Sequence, residues 1–245
     1  DGGISRVDGE IVYMLIREMG IQHALEFSPN EGYSTGFTYS ALQKNHETFT
    51  FATFDMELSP HFVERMHKFD MTVSFGQGDA LENIPKYLEA NDLVGKIEFC
   101  FIDSDHSYGF AKRYCNDIMP LMHEQCIYFI HDMCYRPQDF ENFSHYGCIL
   151  PLEIGGTLSA IGEGSYLVEH FLSQHPNYII FSTHKLFGDH HEYSSILPRN
   201  VALIEALTEM IQGFGLPPSA GQKGGMPRPP MGLVVIPRTL FEPAP

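Results

Sequence analysis

The chain has 245 residues, of which 43% are hydrophobic, and this is enough for one sizeable domain with a full core. Its 31 acidic and 15 basic residues give a formal charge of −16, which disfavours nucleic acid and anionic membranes as partners. We expect no membrane span or signal peptide, and the five cysteines have no C-x-x-C spacing. We therefore expect a cytoplasmic protein with reduced cysteines.

The first half of the chain alternates between apolar runs and helical patterns. An amphipathic helix begins near Val7 and ends near Gly20. Apolar runs follow at residues 23–27, 49–54, 71–75, 96–103 and 126–132, with helical patterns between them. Buried parallel strands appear as continuous apolar runs, and their crossovers require helices. This order predicts an α/β fold with a doubly wound sheet.

The second half is less regular. Its pattern predicts a helix over about 163–173, a strand at 178–181 and a helix over about 200–213. The segment 214–231 is rich in Pro and Gly and is predicted to be a connector. "GLVVIP" at 232–237 offers a last strand, antiparallel at or near the sheet edge. We treat 1–245 as a single domain, with 133–165 and 183–231 as insertions or a lid.

Polar residues follow each strand of the predicted sheet. In open α/β sheets, ligands bind beyond the carboxyl ends of the strands, so these residues are the candidates for a site. They are Glu26 to Gly32, Asp55 and Glu57, Gly78 and Asp79, Asp103 to His106, and His131 and Asp132.

These strand ends resemble the class I S-adenosylmethionine-dependent methyltransferases, in particular the branch of small-molecule O-methyltransferases. The matching segments are "EFSPNEGYST" (26–35), "FDME" (54–57), "GDA" (78–80), "FIDSDHSY" (101–108) and "HDM" (131–133). The resemblance covers about residues 5–135. It implies a Rossmann-like methyltransferase fold with a mostly parallel seven-stranded sheet and helices on both faces. It also implies S-adenosylmethionine as the cofactor and a small-molecule substrate, methylated at a hydroxyl.

The loop after the first strand has few glycines for a loop of this kind. Ser28 stands at the first glycine position of the family pattern, Asn30 at the middle one, and Gly32 is retained. The cofactor has no phosphate, so its loop does not need every glycine that a pyrophosphate requires. Asn also tolerates a left-handed backbone better than most residues. We expect a working loop that includes Glu26 and Ser34; the alternative is a degenerate turn that only packs.

The resemblance assigns further cofactor contacts to the next strand ends. Asp55 matches the acid that binds the ribose hydroxyls, with Glu57 as a close second, because a carboxylate can accept two hydrogen bonds. Asp79 matches the residue on the adenine side, although it is equally suited to cap the next helix. Asp103 is also expected to contact the cofactor.

Residues after the fourth and fifth strands suggest a divalent metal. In the metal-dependent branch, an acid after strand 4 and an acid–amide pair after strand 5 hold magnesium. Asp103 and Asp132 match the acids, and Met133 replaces the amide, so the predicted ligands are Asp103, His131 and Asp132. Magnesium and iron both stay open, since histidine suits a transition metal better.

His106 is the candidate general base, with Asp103 and His131 as the other catalytic candidates. The alternative is that both histidines only orient carboxylates. Glu163 and Glu169, in the predicted helix of the second half, could reach the site, but nothing in the spacing requires it.

Two other functions compete with methyl transfer. Proteins of this general pattern include cephalosporin hydroxylases, in which the His/Asp set would hold redox-active iron. The third reading is a non-catalytic binding protein with a degenerate cofactor loop. The sequence leaves a homo-oligomer open.

Overall fold

A computed structural model describes residues 4, 6–132, 149–154, 157–160, 162–182 and 232–237. Seven strands form one sheet, and a two-stranded hairpin lies apart from it. The strands are β1 (His23–Phe27), β2 (Thr50–Asp55), β3 (Ser74–Gln77), β4 (Phe99–Ile102), β5 (Ile127–Ile130), β6 (Ile149–Ile154), β7 (Thr157–Ala160), β8 (Tyr178–Ser182) and β9 (Leu233–Pro237).

The order of strands in the main sheet is β3-β2-β1-β4-β5-β9-β8. Strands β1 to β5 pair in parallel, whereas β9 is antiparallel to both β5 and β8. The predicted doubly wound, mostly parallel α/β fold is confirmed. Strand order reverses between β1 and β4, which is where such sheets bind their ligands.

Helices pack on both faces of the sheet. They are α1 (Arg6–Glu18), α2 (Tyr33–Asn45), α3 (Pro60–Lys68), α4 (Ala80–Ala90), α5 (Tyr108–Arg113), α6 (Gly162–Tyr166) and α7 (Leu172–Gln174). A π-helical turn at Tyr114–Ile118 and a 3₁₀ turn at Met119–Leu121 continue α5, and a second π-helical turn at Leu167–Phe171 joins α6 to α7.

Alternate residues of the strands supply two separate cores. Leu25 and Cys100 point to the face that packs against α4 and α5, whereas Ala24 and Phe99 point to the face that packs against α1 and α2. Successive side chains of a strand point to opposite faces, so continuous apolar runs are needed to fill both cores.

Two expectations differ from the observed fold. Strand β3 begins three residues later than the apolar run at 71–75, because this edge strand is partly exposed and its sequence is less apolar. The hairpin of β6 and β7 was not predicted. The predicted helix at 200–213 and the connector at 214–231 lie outside the described residues.

Within the described part of the chain, no helix is long and apolar enough to cross a membrane. Cys100, Cys115 and Cys126 are buried as free thiols.

Candidate functional site

A cleft of about 520 Å³ opens at the carboxyl ends of β1, β2, β4 and β5. This volume is typical of a site for a small molecule. Seven predicted site residues line it, namely Ser28, Asn30, Asp55, Glu57, Asp103, His131 and Asp132. The others in its wall are Leu58, Ser59, Pro60 and Ser104.

The loop between β1 and α2 turns through three residues with left-handed backbones. The φ angles are 55° at Ser28, 50° at Asn30 and 80° at Gly32. Asn30 therefore adopts the left-handed backbone that asparagine tolerates well, and Ser28 adopts the same unusual conformation. Ser28 N–H donates to the carbonyl of Phe54 at 2.7 Å, and its hydroxyl is 2.9 Å from that of Ser104. These bonds fix the loop against β2 and the segment after β4.

Asp55 joins this loop to the end of β2. Its Oδ2 accepts from the backbone N–H of Asn30 at 3.3 Å, and its Oδ1 accepts from that of Met56 at 2.7 Å. Two backbone donors thus fix the carboxylate in the wall of the cleft, and each oxygen keeps a second lone pair for a ligand. Glu57 lies in the same wall and is exposed.

Glu26 and Ser34 lie beneath the loop and not in the cleft wall. The carboxyl of Glu26 is fully buried and accepts from the hydroxyl of Thr35 at 2.7 Å. Burial raises the pKa of Glu26 to about 7, although the hydroxyls of Ser34, Thr35 and Thr53 act in the opposite direction. Glu26 therefore joins β1 to α2 through its side chain.

Gly32 and Asp79 are also outside the cleft wall. A Cβ added at Gly32 would lie 3.0 Å from the ring of Phe62, so glycine allows α3 to pack closely against the loop. Asp79 caps α4 by accepting from the N–H of Leu81 at 2.9 Å, and it lies 3.5 Å from Arg113. The capping alternative for Asp79 is thus the one that its contacts show.

Asp103, His131 and Asp132 converge at the other end of the cleft. Nδ1 of His131 is 3.2 Å from Oδ2 of Asp103 and 3.3 Å from Oδ1 of Asp132. One candidate ligand atom from each residue lies within 4.8 Å of the others. Among the described atoms, Nδ1 of His131 and Oδ1 of Asp132 are buried without a hydrogen bond. Asp132 holds its carboxylate here from a left-handed backbone with φ 52°.

Asp8, which sequence reasoning missed, lies behind this cluster. It is fully buried, and its Oδ2 is 3.7 Å from Nε2 of His131. Burial lowers the pKa of His131, but Asp103 and Asp8 outweigh it and leave this pKa well above its ordinary value. The signal was available, because Asp8 is in helical register with the buried Ile11 and Leu15 of α1.

His106 lies behind Asp103 and is not part of the cleft wall. Its Nδ1 is 2.9 Å from Oε2 of Glu163, and its Nε2 is 3.9 Å from Oδ1 of Asp103. Burial lowers the pKa of His106, but the hydrogen bond and charge of Glu163 outweigh this effect and raise it. Both ring nitrogens therefore face carboxylates.

The reversal of strand order, the turn after β1 and the acidic cleft at the strand ends agree with the Rossmann-like methyltransferase fold that the sequence resemblance implies. Residues 26–133 match a family model described as a methyltransferase domain. This segment holds every residue that lines the cleft.

Several solved structures share the fold. The O-methyltransferase from Bacillus cereus, in complex with S-adenosylhomocysteine, is 16% identical over 73% of this chain and 74% of that chain, with a TM-score of 0.53. The O-methyltransferase TomG from Streptomyces achromogenes, involved in tomaymycin synthesis and in complex with S-adenosylmethionine, is 15% identical over 73% of each chain, with a TM-score of 0.55. The plantazolicin methyltransferase BpumL is 9% identical over 95% of this chain and 85% of that chain, with a TM-score of 0.51. No curated protein matches the chain.

Proposed function

We propose that the protein transfers the methyl group of S-adenosylmethionine to a hydroxyl of a small molecule. One observation carries this proposal: a single cleft joins the fixed carboxylate of Asp55 to the cluster of Asp103, His131 and Asp132. The first end suits the ribose of the cofactor, and the second suits a hydroxyl acceptor. Both reactants would then lie in one cleft, where alignment contributes much of the catalysis.

The cofactor end is formed by the loop after β1 and by Asp55. The free lone pairs of Asp55 would accept from the two ribose hydroxyls, while Ser28 and Asn30 supply the adjoining wall. Glu26, Ser34 and Gly32 support this loop from below and from the side of α3. Few glycines suffice because Ser28 and Asn30 adopt the left-handed backbone conformations for which such a loop commonly uses glycine.

The acceptor end fits a divalent cation. Two carboxylates and one imidazole nitrogen converge there, and two of these buried atoms lack a hydrogen bond among the described atoms. A cation held by Asp103, His131 and Asp132 would supply a Lewis acid that lowers the pKa of the acceptor hydroxyl. This donor set favours Mn²⁺, Fe²⁺ or Zn²⁺ over Mg²⁺ because it includes a nitrogen.

The chain's own residues have separate roles in this proposal. Asp103 and Asp132 line the cleft, so they orient the acceptor and can receive its proton. His131 completes the cluster, and Asp8 lies against its far nitrogen. His106, the base expected from sequence, would act through Asp103, since His106 is not in the cleft wall and its Nε2 lies 3.9 Å from Oδ1 of Asp103.

Calorimetric titration of the metal-stripped protein with S-adenosylhomocysteine tests both ends of the cleft, with Mn²⁺ and Mg²⁺ titrated separately. We expect micromolar binding of S-adenosylhomocysteine that Asp55→Asn weakens, and Mn²⁺ binding that Asp103→Asn weakens. The exposed Glu89→Gln serves as the control and should alter neither.

Absence of cofactor binding in the unaltered protein would contradict the proposal and favour the non-catalytic alternative. The donor set also suits iron, so oxygen-dependent hydroxylation by the iron-loaded protein would favour the hydroxylase alternative.

A further inference from the structure

Glu163 connects the less regular second half of the chain to the site. It lies in α6, and two of its groups contact the same residue. Its backbone N–H donates to the carbonyl of His106 at 2.8 Å, and its Oε2 is 2.9 Å from Nδ1 of the His106 ring. These two contacts fix both the backbone and the side chain of His106.

Both side chains of this pair are almost fully buried, with exposed fractions of 8% for His106 and 1% for Glu163. A buried carboxylate is costly unless it has a partner of opposite charge or a good donor. Nδ1 of His106 is the hydrogen-bond partner of Oε2, and the hydroxyl of Tyr114 also lies close to Glu163. Burial raises the pKa of Glu163, although the hydrogen bond and charge of His106 act in the opposite direction, and Oε1 is buried without a hydrogen bond among the described atoms.

The far side of His106 faces the cluster at the acceptor end. Its Nε2 is 3.9 Å from Oδ1 of Asp103, while Oδ2 of Asp103 is 3.2 Å from Nδ1 of His131. The two oxygens of Asp103 are therefore each opposite one histidine. Rotation of the His106 ring would turn Nε2 away from Oδ1 of Asp103.

We propose that Glu163 is a positioning residue, which fixes the ring of His106 and, through it, the orientation of the Asp103 carboxylate. Because Oε2 of Glu163 accepts from Nδ1, the ring cannot turn without losing a buried hydrogen bond, and Nε2 stays directed at Asp103. Oδ2 of Asp103 is then held towards His131 and the cleft. The functional consequence rests on the proposed function, in which Asp103 holds the metal and the acceptor.

The structural part of this proposal can be tested without metal or cofactor. NMR of the ¹⁵N-histidine-labelled protein reports on each imidazole, with His106→Gln and His131→Gln used to assign the signals. We expect a protected Nδ1–H signal for His106 that disappears in Glu163→Ala and shifts in the isosteric Glu163→Gln. The His131 signals should move as well, because Asp103 lies between the two rings. Glu89→Gln is the control.

Mn²⁺ titration, followed by electron paramagnetic resonance, gives the functional readout. Loss of an outer partner of a metal ligand typically weakens binding about tenfold or more, and we expect this loss in Glu163→Ala. The affinity of Glu163→Ala for S-adenosylhomocysteine should stay within about twofold of that of the unaltered protein, because the lost hydrogen bond to His106 lies at the acceptor end and should not alter binding at the cofactor end.

Unchanged His106 signals in Glu163→Ala would overturn the proposal, and so would a change in His106 that leaves His131 unaffected. If Glu163→Ala does not fold, the same comparison in Glu163→Gln decides. If the unaltered protein binds neither Mn²⁺ nor S-adenosylhomocysteine, the proposed function fails, while the NMR signals still decide whether Glu163 positions His106 and Asp103.

Discussion

Replacing Glu26 by glutamine should stabilise the protein at alkaline pH. Burial raises the pKa of this carboxyl from 4.5 to about 7, so the folded state favours the protonated form. The stability that protonated Glu26 contributes is fully present below pH 4.5 and is lost as the pH rises through 7. One pKa unit corresponds to about 1.4 kcal/mol, so the ionisation of Glu26 above pH 7 lowers the free energy of unfolding by about 3 kcal/mol. Glutamine resembles the protonated carboxyl in shape and has no charge to bury.

Urea denaturation at pH 5 and pH 8 measures this effect. We expect the free energy of unfolding of Glu26→Gln to exceed that of the unaltered protein by about 2–3 kcal/mol at pH 8, and by less than about 1 kcal/mol at pH 5. The exposed Glu89→Gln should show no such difference between the two pH values. Equal effects of Glu26→Gln at both pH values would refute the reasoning, because a neutral Glu26 would then not be what stabilises the fold under acid conditions.

Further predictions concern the cofactor loop. Asp55→Asn should weaken S-adenosylhomocysteine binding about tenfold or more, whereas Glu57→Gln should change it less than about twofold, because only Asp55 is fixed by backbone donors. Calorimetry that ranks the two variants in the reverse order would assign the ribose to Glu57. Gly32→Ala should cost about 2 kcal/mol or more in the free energy of unfolding, since its left-handed backbone is combined with a close approach to Phe62. Gly20→Ala is the matched control at about 1 kcal/mol, because its φ is also positive but its Cβ would meet nothing within 4 Å; equal losses in urea denaturation would contradict the packing argument.

The cleft could largely be predicted from the sequence because its acids follow apolar runs directly. Parallel strands that end at one edge bring their next residues together, and this placed Asp55, Asp103 and Asp132 in one wall. The pattern could not show how deeply each acidic side chain is buried. Glu26 follows the same rule as Asp55, yet the side chain of Glu26 points beneath the loop and is fully buried.

The pairing of His106 with Glu163 could not be predicted for a different reason. The two residues are 57 positions apart, and the segment between them includes stretches without a clear hydrophobic period. Their contact depends on how α6 packs against α5, which is a tertiary property. The role of Asp8 could not be predicted either, because the amphipathic pattern of α1 shows that this helix packs on the sheet but not that it places an acid against His131.

The position of β9 between β5 and the edge strand β8 has a consequence for the order in which the protein can assemble during synthesis. Val235 pairs with Tyr128 of β5 on one side and with Ile180 of β8 on the other. Strand β8 therefore emerges from the ribosome well before the strand that attaches it to the sheet. Until β9 is made, the edge of β5 next to the acceptor end of the cleft exposes unpaired backbone groups. The nascent chain can thus form the loop between β1 and α2 early, but it completes the sheet beside the Asp103 cluster only after β9 has been made.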